Sequence, residues 1–390
     1  MHHPQTVIQV MFLIFAGTAI LSTLALFTRQ SLLVAYMALG AILGPWGLKL
    51  VNDSTMIKQT GDIGIIFLLF LLGLDLQPQN LLHSLRKMSS IALSSSLIFF
   101  IFGFSIGLLC KFSYTESIIV GLTMMFSSTI IGLKLLPTTI LHHQHTGELM
   151  ISILLLQDLI AIAVLLILQG INDRTFSFND LGLMICSFPI LLILAYVFQR
   201  FILAKLLQLF DHIHEYIFIL SIGWCLCMAQ LGHAMGLTEE IGAFIAGISL
   251  ATNPISLYVA ESLKPLRDFF LVIFFFSIGA GFNFDFIHLV MLPAIWLAAA
   301  TLIAKPVVFG WLLHKLGEPK KIGWEIGVRL GQVSEFSLLI VYLALQTKLV
   351  TPVVNYTIQA ATILTFIVSC YWVGMRYPTP LAASDKLRRD

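Results

Sequence analysis

The chain has 390 residues, of which 58% are apolar and only 11% are Asp, Glu, Lys or Arg, where a soluble domain averages about 45–50% apolar and about 25% charged. So little charge cannot furnish the solvated surface that a globule of this size needs, so a soluble protein is excluded and an all-α polytopic membrane protein is expected. A net charge of +2 with scattered basic residues offers nothing to nucleic acid.

A crossing helix needs about 20 apolar residues. The chain offers thirteen such runs: 6–27, 31–50, 60–76, 89–110, 115–136, 147–170, 181–199, 215–232, 238–252, 268–281, 287–314, 324–346 and 352–375. The first has no basic residue ahead of it and no convincing cleavage site, and is read as a retained span rather than a signal peptide. The third, ninth and tenth are short and Gly-rich. The fifth is interrupted by MFSSTIIG, where Ser127, Ser128 and Thr129 are followed by Gly132 and Pro137. The sixth, LMISILLLQDLIAIAVLLILQG, carries Gln157 and Asp158 in its middle; the eleventh carries Lys305 followed by Pro306. The twelfth is interrupted by GQVSEFS, with Gly331, Gln332, Ser334 and Glu335. Backbone groups freed by such interruptions cannot stay unsatisfied in hydrocarbon, so these segments must face a polar cavity or each other.

Loop charges fit this count. With the N-terminus outside, fifteen Lys and Arg residues fall on the cytoplasmic side and five outside (Lys49, Lys58, Lys111, Arg174, Lys348), while Lys305 and Arg329 lie within spans. That split follows the positive-inside rule. Asp75, Glu116, Glu148 and Glu240 sit near span ends and are read as boundary residues. His142, His143 and His145 share a cytoplasmic loop, without Cys or acidic partners at ligand spacing, so no zinc site is expected. Five cysteines, an odd number lying mostly in apolar runs, support neither a disulfide framework nor a metal site. No Walker loop, nucleotide fingerprint or HExxH occurs, and no cofactor is expected.

The two interruptions belong to a repeat. GLTMMFSST (121–129) aligns with GVRLGQVSE (327–335) at an offset of 206, which also places Asp62 on Asp268 and Gly73 on Gly279. At an offset of 202, LGAILG (39–44) resembles IGAFIAG (241–247). A displacement of seven spans is odd, so the second copy enters the membrane inverted, the organisation of secondary transporters that bind at the midplane where helices break.

An ion at the bilayer centre costs roughly 2.5–3.5 kcal/mol on insertion scales, so charges there are functional candidates. Asp158 has about ten residues of span on each side, roughly 15 Å at 1.5 Å per residue, which is the midplane. Lys305 is similarly deep, and one buried acid with one buried base predicts a pair. Gln157 can help ligate a cation. Glu335 occupies the repeat position of Thr129 beside a half-helix end, where an acid stabilises the positive end of the dipole; its expected role is mainly structural, with ion binding the lesser alternative. Arg329, six residues earlier, either neutralises Glu335 or reaches the cytoplasmic mouth, and Gln332 belongs with them at the second break.

On LGAILGPWGL, GDIGIIFLLFLLGLDL, FSSTIIGLKLL, LLLQDLIAI, EEIGAFIAGISLA, FFFSIGAGF and GQVSEFS the chain resembles, over its whole length, the Kef-type monovalent cation:proton antiporters, the branch with the glutathione-gated potassium efflux systems. The Gln157–Asp158 pair is the most specific element, since sodium-selective relatives of the NhaA type commonly carry two acids there. The resemblance implies an NhaA-like antiporter fold and a homodimer in a bacterial cell membrane, with the C-terminus cytoplasmic. It implies a transmembrane domain over 1–380, with a scaffold and dimer part at about 6–76 and 215–281, a linker helix at about 181–199, and an ion-translocating core at about 89–170 and 287–375 that works by alternating access. Transferred by motif, Asp158 carries ion or proton in turn, Gln157 and the segment Ser127, Ser128 and Thr129 help coordinate, and Lys305 pairs with Asp158. Two departures stand out, Ser334 where relatives often have Gly and Arg329 where they are usually small or apolar. The long potassium efflux systems append a cytosolic nucleotide-binding domain; residues 381–390 suffice for a short tail, so glutathione or NAD control is not expected unless the chain is a fragment.

The expected activity is exchange of a monovalent cation for H+. One acid beside an amide favours K+, while Na+ stays open. A cation channel and a sodium-coupled organic-anion symporter of related architecture are the alternatives; a membrane-embedded enzyme lacks a paired catalytic motif.

Overall fold

A computed structural model describes residues 7–51, 54–75, 78–136, 145–170, 178–210, 212–251 and 256–379. Among these the helices are α1 (Val7–Phe27), α2 (Leu32–Leu43), α3 (Ser54–Asp75), α4 (Pro78–Leu109), α5 (Tyr114–Met124), α6 (Thr129–Lys134), α7 (His145–Gly170), α8 (Phe178–Phe198), α9 (Ala204–Leu209), α10 (His214–Ala234), α11 (Glu239–Ala251), α12 (Ser256–Ala280), α13 (Ile287–Lys315), α14 (Lys320–Arg329), α15 (Glu335–Gln346) and α16 (Pro352–Arg376). A π turn at Gln199–Leu203 links α8 to α9. Each of the thirteen expected runs overlaps one helix or a broken pair. Among the described residues eight helical stretches are by themselves long and apolar enough to cross a membrane, and Leu32–Leu43, Gly61–Leu74 and Glu335–Gln346 are shorter apolar helices.

Differences from expectation lie at polar helix starts. α12 begins at Ser256, well before the apolar run at 268, because its first turns carry Glu261, Pro265 and Arg267 and so escape a hydropathy reading. α4 likewise begins at Pro78 rather than 89. Asp75, Glu116, Glu148 and Glu240 do fall in first or last helical turns. Lys49 adopts a positive φ in the turns that follow α2, and Arg29, Lys111 and Lys348 adopt positive φ near 60° just beyond helix C-termini. Their amides close the last turn, Lys111 N on Leu108 O and Lys348 N on Leu345 O, and their charges suit the negative helix end. Two of the five basic residues assigned outside, Lys111 and Lys348, are therefore also helix caps.

The chain forms two compact units. The first comprises Met1–Thr18, Tyr36–Leu81 and Gln169–Gly281. Its helices meet backbone to backbone: a Cβ at Gly247 of α11 would lie 2.1 Å from Phe70 O of α3, and one at Gly279 of α12 would lie 2.0 Å from Met37 O of α2. Only glycine permits such approach, so the small-residue motifs at 39–44, 241–247 and 275–281 act as helix-packing seams. Phe67 stacks on Phe270 at 4.4 Å between ring centroids, joining α3 to α12.

The second unit comprises Ala19–Ala35, Leu82–Leu168 and Phe282–Asp390. Met88, Phe99, Met150, Ile153, Phe309 and Ile326 form the centre of its apolar core. Within it both expected interruptions are real helix breaks. α5 stops at Met124 and α6 restarts at Thr129; α14 stops at Arg329 and α15 restarts at Glu335. First residues Tyr114 and Lys320, and restart residues Thr129 and Glu335, are each 206 apart, the offset read from the repeat. Both restarts are capped by serine at that offset: Ser128 Oγ accepts from Ile131 N, and Ser334 Oγ accepts from Phe336 N. Serine stops one helix by competing for its backbone and starts the next by capping it.

Candidate functional site

The two breaks leave backbone groups without helical partners, and nearly every polar side chain nearby serves them. Gln157 is fully buried; its Oε1 accepts from Ser127 N (3.1 Å) and its Nε2 donates to Met125 O (3.2 Å). One amide thus replaces two lost helical bonds on the first break. Ser127 Oγ donates across to Leu330 O in the second break (2.9 Å), and Gln332 Nε2 returns to Ser128 O (3.4 Å). Ser337 Oγ donates to Thr123 O, and Val333 N finds Thr365 Oγ1 at 3.1 Å. Gln332 Oε1 accepts from Ser369 Oγ (2.9 Å).

Lys305 joins the breaks and does not pair with Asp158. Its ammonium donates to Phe126 O (2.6 Å), Gln332 O (2.7 Å) and Ser127 Oγ (3.1 Å), one acceptor for each of its three protons. The face of Phe99, 5.6 Å away, completes its surroundings. The expected Lys305–Asp158 pair is corrected on this point, and the reason is geometric. Two broken helices present carbonyls carrying partial negative charge, Phe126 O and Gln332 O, and the buried ammonium settles between them.

Asp158 has a thinner environment. It is 1% exposed, and its carboxylate receives one donor among the described residues, Thr129 Oγ1, at 3.0 and 3.2 Å from its two oxygens. Thr129 is half-buried at the N-terminus of α6, the only member of the Ser127–Thr129 segment whose hydroxyl is turned to the acid. Ser127 and Gln157, expected as coordinating groups, have their polar atoms committed to the backbone of the breaks. Glu335, first residue of α15, accepts on Oε1 from Ile130 N (3.3 Å), so the acid of one broken helix sits at the start of the other. It also acts electrostatically on Asp158.

Arg329 is fully buried and settles between its two expected destinations. It does not reach Glu335. Nε and Nη2 grip Glu325 Oε1 at 3.0 and 2.9 Å, Nη1 donates to Leu135 O (2.9 Å) at the end of α6, and Nη2 to Pro378 O (3.0 Å) beyond α16. Glu325 was missed although its i,i+4 spacing to Arg329 was a readable signal. Thr365 and Ser369 were missed too; with Asn355, Gln359 and Thr362 they make a buried polar stripe at helical spacing on α16.

At the other end of α5, Glu116 is more than a solvated boundary residue. It closes a capping box with Ser113 and accepts from Thr351 N (3.1 Å) and Thr351 Oγ1 (2.6 Å), tying the start of α5 to the start of α16. His145 opens α7 and lies 2.8 Å from Glu318 Oε1, a neighbour remote in sequence, and 3.5 Å from Glu148 Oε2, an i,i+3 neighbour that the spacing displays. His142, His143, Pro137 and the tail 381–390 lie outside the described residues.

Similarity to known proteins agrees with this architecture. A model of the transmembrane sodium/hydrogen exchanger family matches residues 11–375. The chain belongs to that family. It is an integral membrane protein of the cation/proton antiporter class. It is 27% identical over 355 residues to K(+) efflux antiporter 4 of Arabidopsis thaliana, covering 87% of this chain and 58% of that protein. It is 30% identical over 341 residues to the glutathione-regulated potassium-efflux system protein KefC of Salmonella paratyphi B, covering 84% of this chain and 54% of that one. The chain thus spans little more than half the length of these relatives. The sodium proton antiporter MjNhaP1 of Methanocaldococcus jannaschii has the same fold, with a TM-score of 0.68 over 93% of this chain and 95% of its own, at 16% identity.

Proposed function

We propose that the chain exchanges a monovalent cation, K+ before Na+, for H+ by alternating access, and that Asp158 holds cation and proton in turn. One observation carries the reading. Among the described residues Asp158 is a buried carboxylate with a single hydroxyl donor and no basic side chain on it, while Lys305, the base expected beside it, is saturated by other acceptors. A bare carboxylate in so dry a place is uncompensated, and it needs a positive guest. A proton or a dehydrated cation meets that need, and each excludes the other. If only occupied forms cross, uptake of one drives release of the other, which is coupled exchange. Names of relatives, which speak of K(+) efflux and potassium efflux, support K+ as the cation.

On this reading the second compact unit is the translocating part and the first is the scaffold, through which two chains associate as a homodimer. The test is reconstitution into liposomes enclosing a pH-sensitive dye, with Li+, Na+, K+ and Rb+ added in turn to an imposed proton gradient. K+ and Rb+ are expected to dissipate the gradient at lower concentration than Na+ or Li+. Cation flux without stoichiometric proton movement means a channel, and no proton response to any of the four rejects antiport.

A further inference from the structure

The charges buried around the two breaks do not balance in pairs. Of the two buried bases, Lys305 lies on carbonyls and one hydroxyl, and Arg329 lies on Glu325 and two carbonyls. Neither touches the two remaining buried acids, Asp158 and Glu335. These acids converge instead on consecutive residues at the start of α6: Asp158 on the Thr129 hydroxyl at 3.0 Å, Glu335 on Ile130 N at 3.3 Å.

A purely structural Glu335 would account for one of its oxygens. As the first residue of α15 with Oε1 on the first turn of α6, it faces the positive ends of two half-helices. Its other oxygen is unexplained. Glu335 Oε2 is buried with no hydrogen-bond partner among the described residues, on a residue only 9% exposed. The Ser128 hydroxyl, the amides of Thr129 and Ile130 and the acid's own amide act on the carboxylate, but none of them meets Oε2 in hydrogen-bond geometry; the Ser128 oxygen itself accepts from Ile131 N. A buried carboxylate oxygen left without a donor costs on the order of 1–3 kcal/mol or more, and such an atom in a native fold calls for an unseen partner. A donor group is not the only partner that serves; a cation does.

We propose that Glu335 is the second acid of the ion site, its Oε2 and the Asp158 carboxylate binding the exchanged monovalent cation between them with the Thr129 hydroxyl oxygen. This rests on the reading of Asp158 as the ion carrier and extends it. Because the pair shares one guest, its two carboxyl groups titrate as a unit rather than as separate sites. The dyad also resolves why Gln157 and Ser127 can be committed to the backbone: the cation's oxygen ligands come from the acids and Thr129.

The test is cation-dependent thermal stability of the purified full-length chain, with K+, Na+ or Rb+ replacing choline at constant ionic strength. A ligand that binds the folded state raises the melting temperature in proportion to ln(1 + [L]/Kd), so the half-effective cation concentration reads affinity without requiring transport. Wild type is expected to be stabilised by cation, and Asp158→Asn to lose the effect. Glu335→Gln is expected to raise the half-effective concentration about tenfold or more, about 1.4 kcal/mol per decade. Glu335→Asp keeps the charge at the helix starts but withdraws the oxygen by one methylene. It is expected to fold when Glu335→Gln does not, and to weaken the cation effect in the same direction. A structural role alone lowers the cation-free melting temperature and leaves the half-effective concentration at the wild-type value. That result in either Glu335 variant, with Asp158→Asn still insensitive to cation, overturns the dyad and leaves the Asp158 site standing. An Asp158→Asn chain that responds to cation like wild type overturns the reading on which the dyad rests.

Discussion

Replacing Lys305 by methionine separates a lysine that ties two helix breaks together from a lysine that neutralises Asp158. Methionine keeps much of the stem's volume and deletes the three donors. Ser127 Oγ retains its bond to Leu330 O, but Phe126 O and Gln332 O lose the ammonium that satisfies them. At about 1–3 kcal/mol for each buried group left unpaired, Lys305→Met should destabilise the fold by about 2–6 kcal/mol. The assay is equilibrium unfolding in mixed micelles, with Asp158→Asn and the double variant completing a cycle. Because Lys305 and Asp158 hydrogen-bond to different partners and not to each other, neither substitution should rescue the other by more than about 1.5 kcal/mol. A charge pair behaves otherwise. Breaking one member leaves a buried ion whose removal by the second substitution restores stability. Rescue of Lys305→Met by Asp158→Asn, by more than about 1.5 kcal/mol, would refute the placement of Lys305 on the carbonyls.

Thr129→Val deletes the one donor seen on Asp158 and should raise the apparent KM for cation-driven proton movement about tenfold, whereas Thr129→Ser should stay near wild type; equal KM values in all three proteins would remove Thr129 from the site. Arg329→Ala leaves Leu135 O, Pro378 O and Glu325 without their common partner and should cost about 3–5 kcal/mol in the same unfolding assay. Arg329→Lys should recover only part of it, because an ammonium cannot reproduce the planar fork; full recovery by lysine would contradict that geometry.

Much of the architecture could be read from the chain. The offset of 206 between GLTMMFSST and GVRLGQVSE marks both interrupted segments, and the helix restarts at Thr129 and Glu335 keep that offset because the capping serines Ser128 and Ser334 are part of the repeated text. Asp158 stood out because a lone acid deep in an apolar run has few structural excuses. Misreadings came from backbone. Lys305 was assigned to an acid since sequence displays side-chain charges and hides carbonyls; only the break exposes Phe126 O and Gln332 O, from segments 206 residues apart. For Gln157 the sequence likewise hides a second task beside the expected ion contact: its amide copies the donor and acceptor that a helix would have supplied to Ser127 N and Met125 O. Start points of α4 and α12 were placed late because polar first turns carry no hydropathy signal.

The account stands on one carboxylate receiving proton and cation by turns, and Asp158→Asn tests it most directly. In liposomes with an interior pH dye, wild type should move protons when K+ is added and the asparagine variant should be silent, at equal amounts of folded protein in the bilayer. Near wild-type exchange by Asp158→Asn would contradict the account, since an amide cannot bind the two guests in alternation.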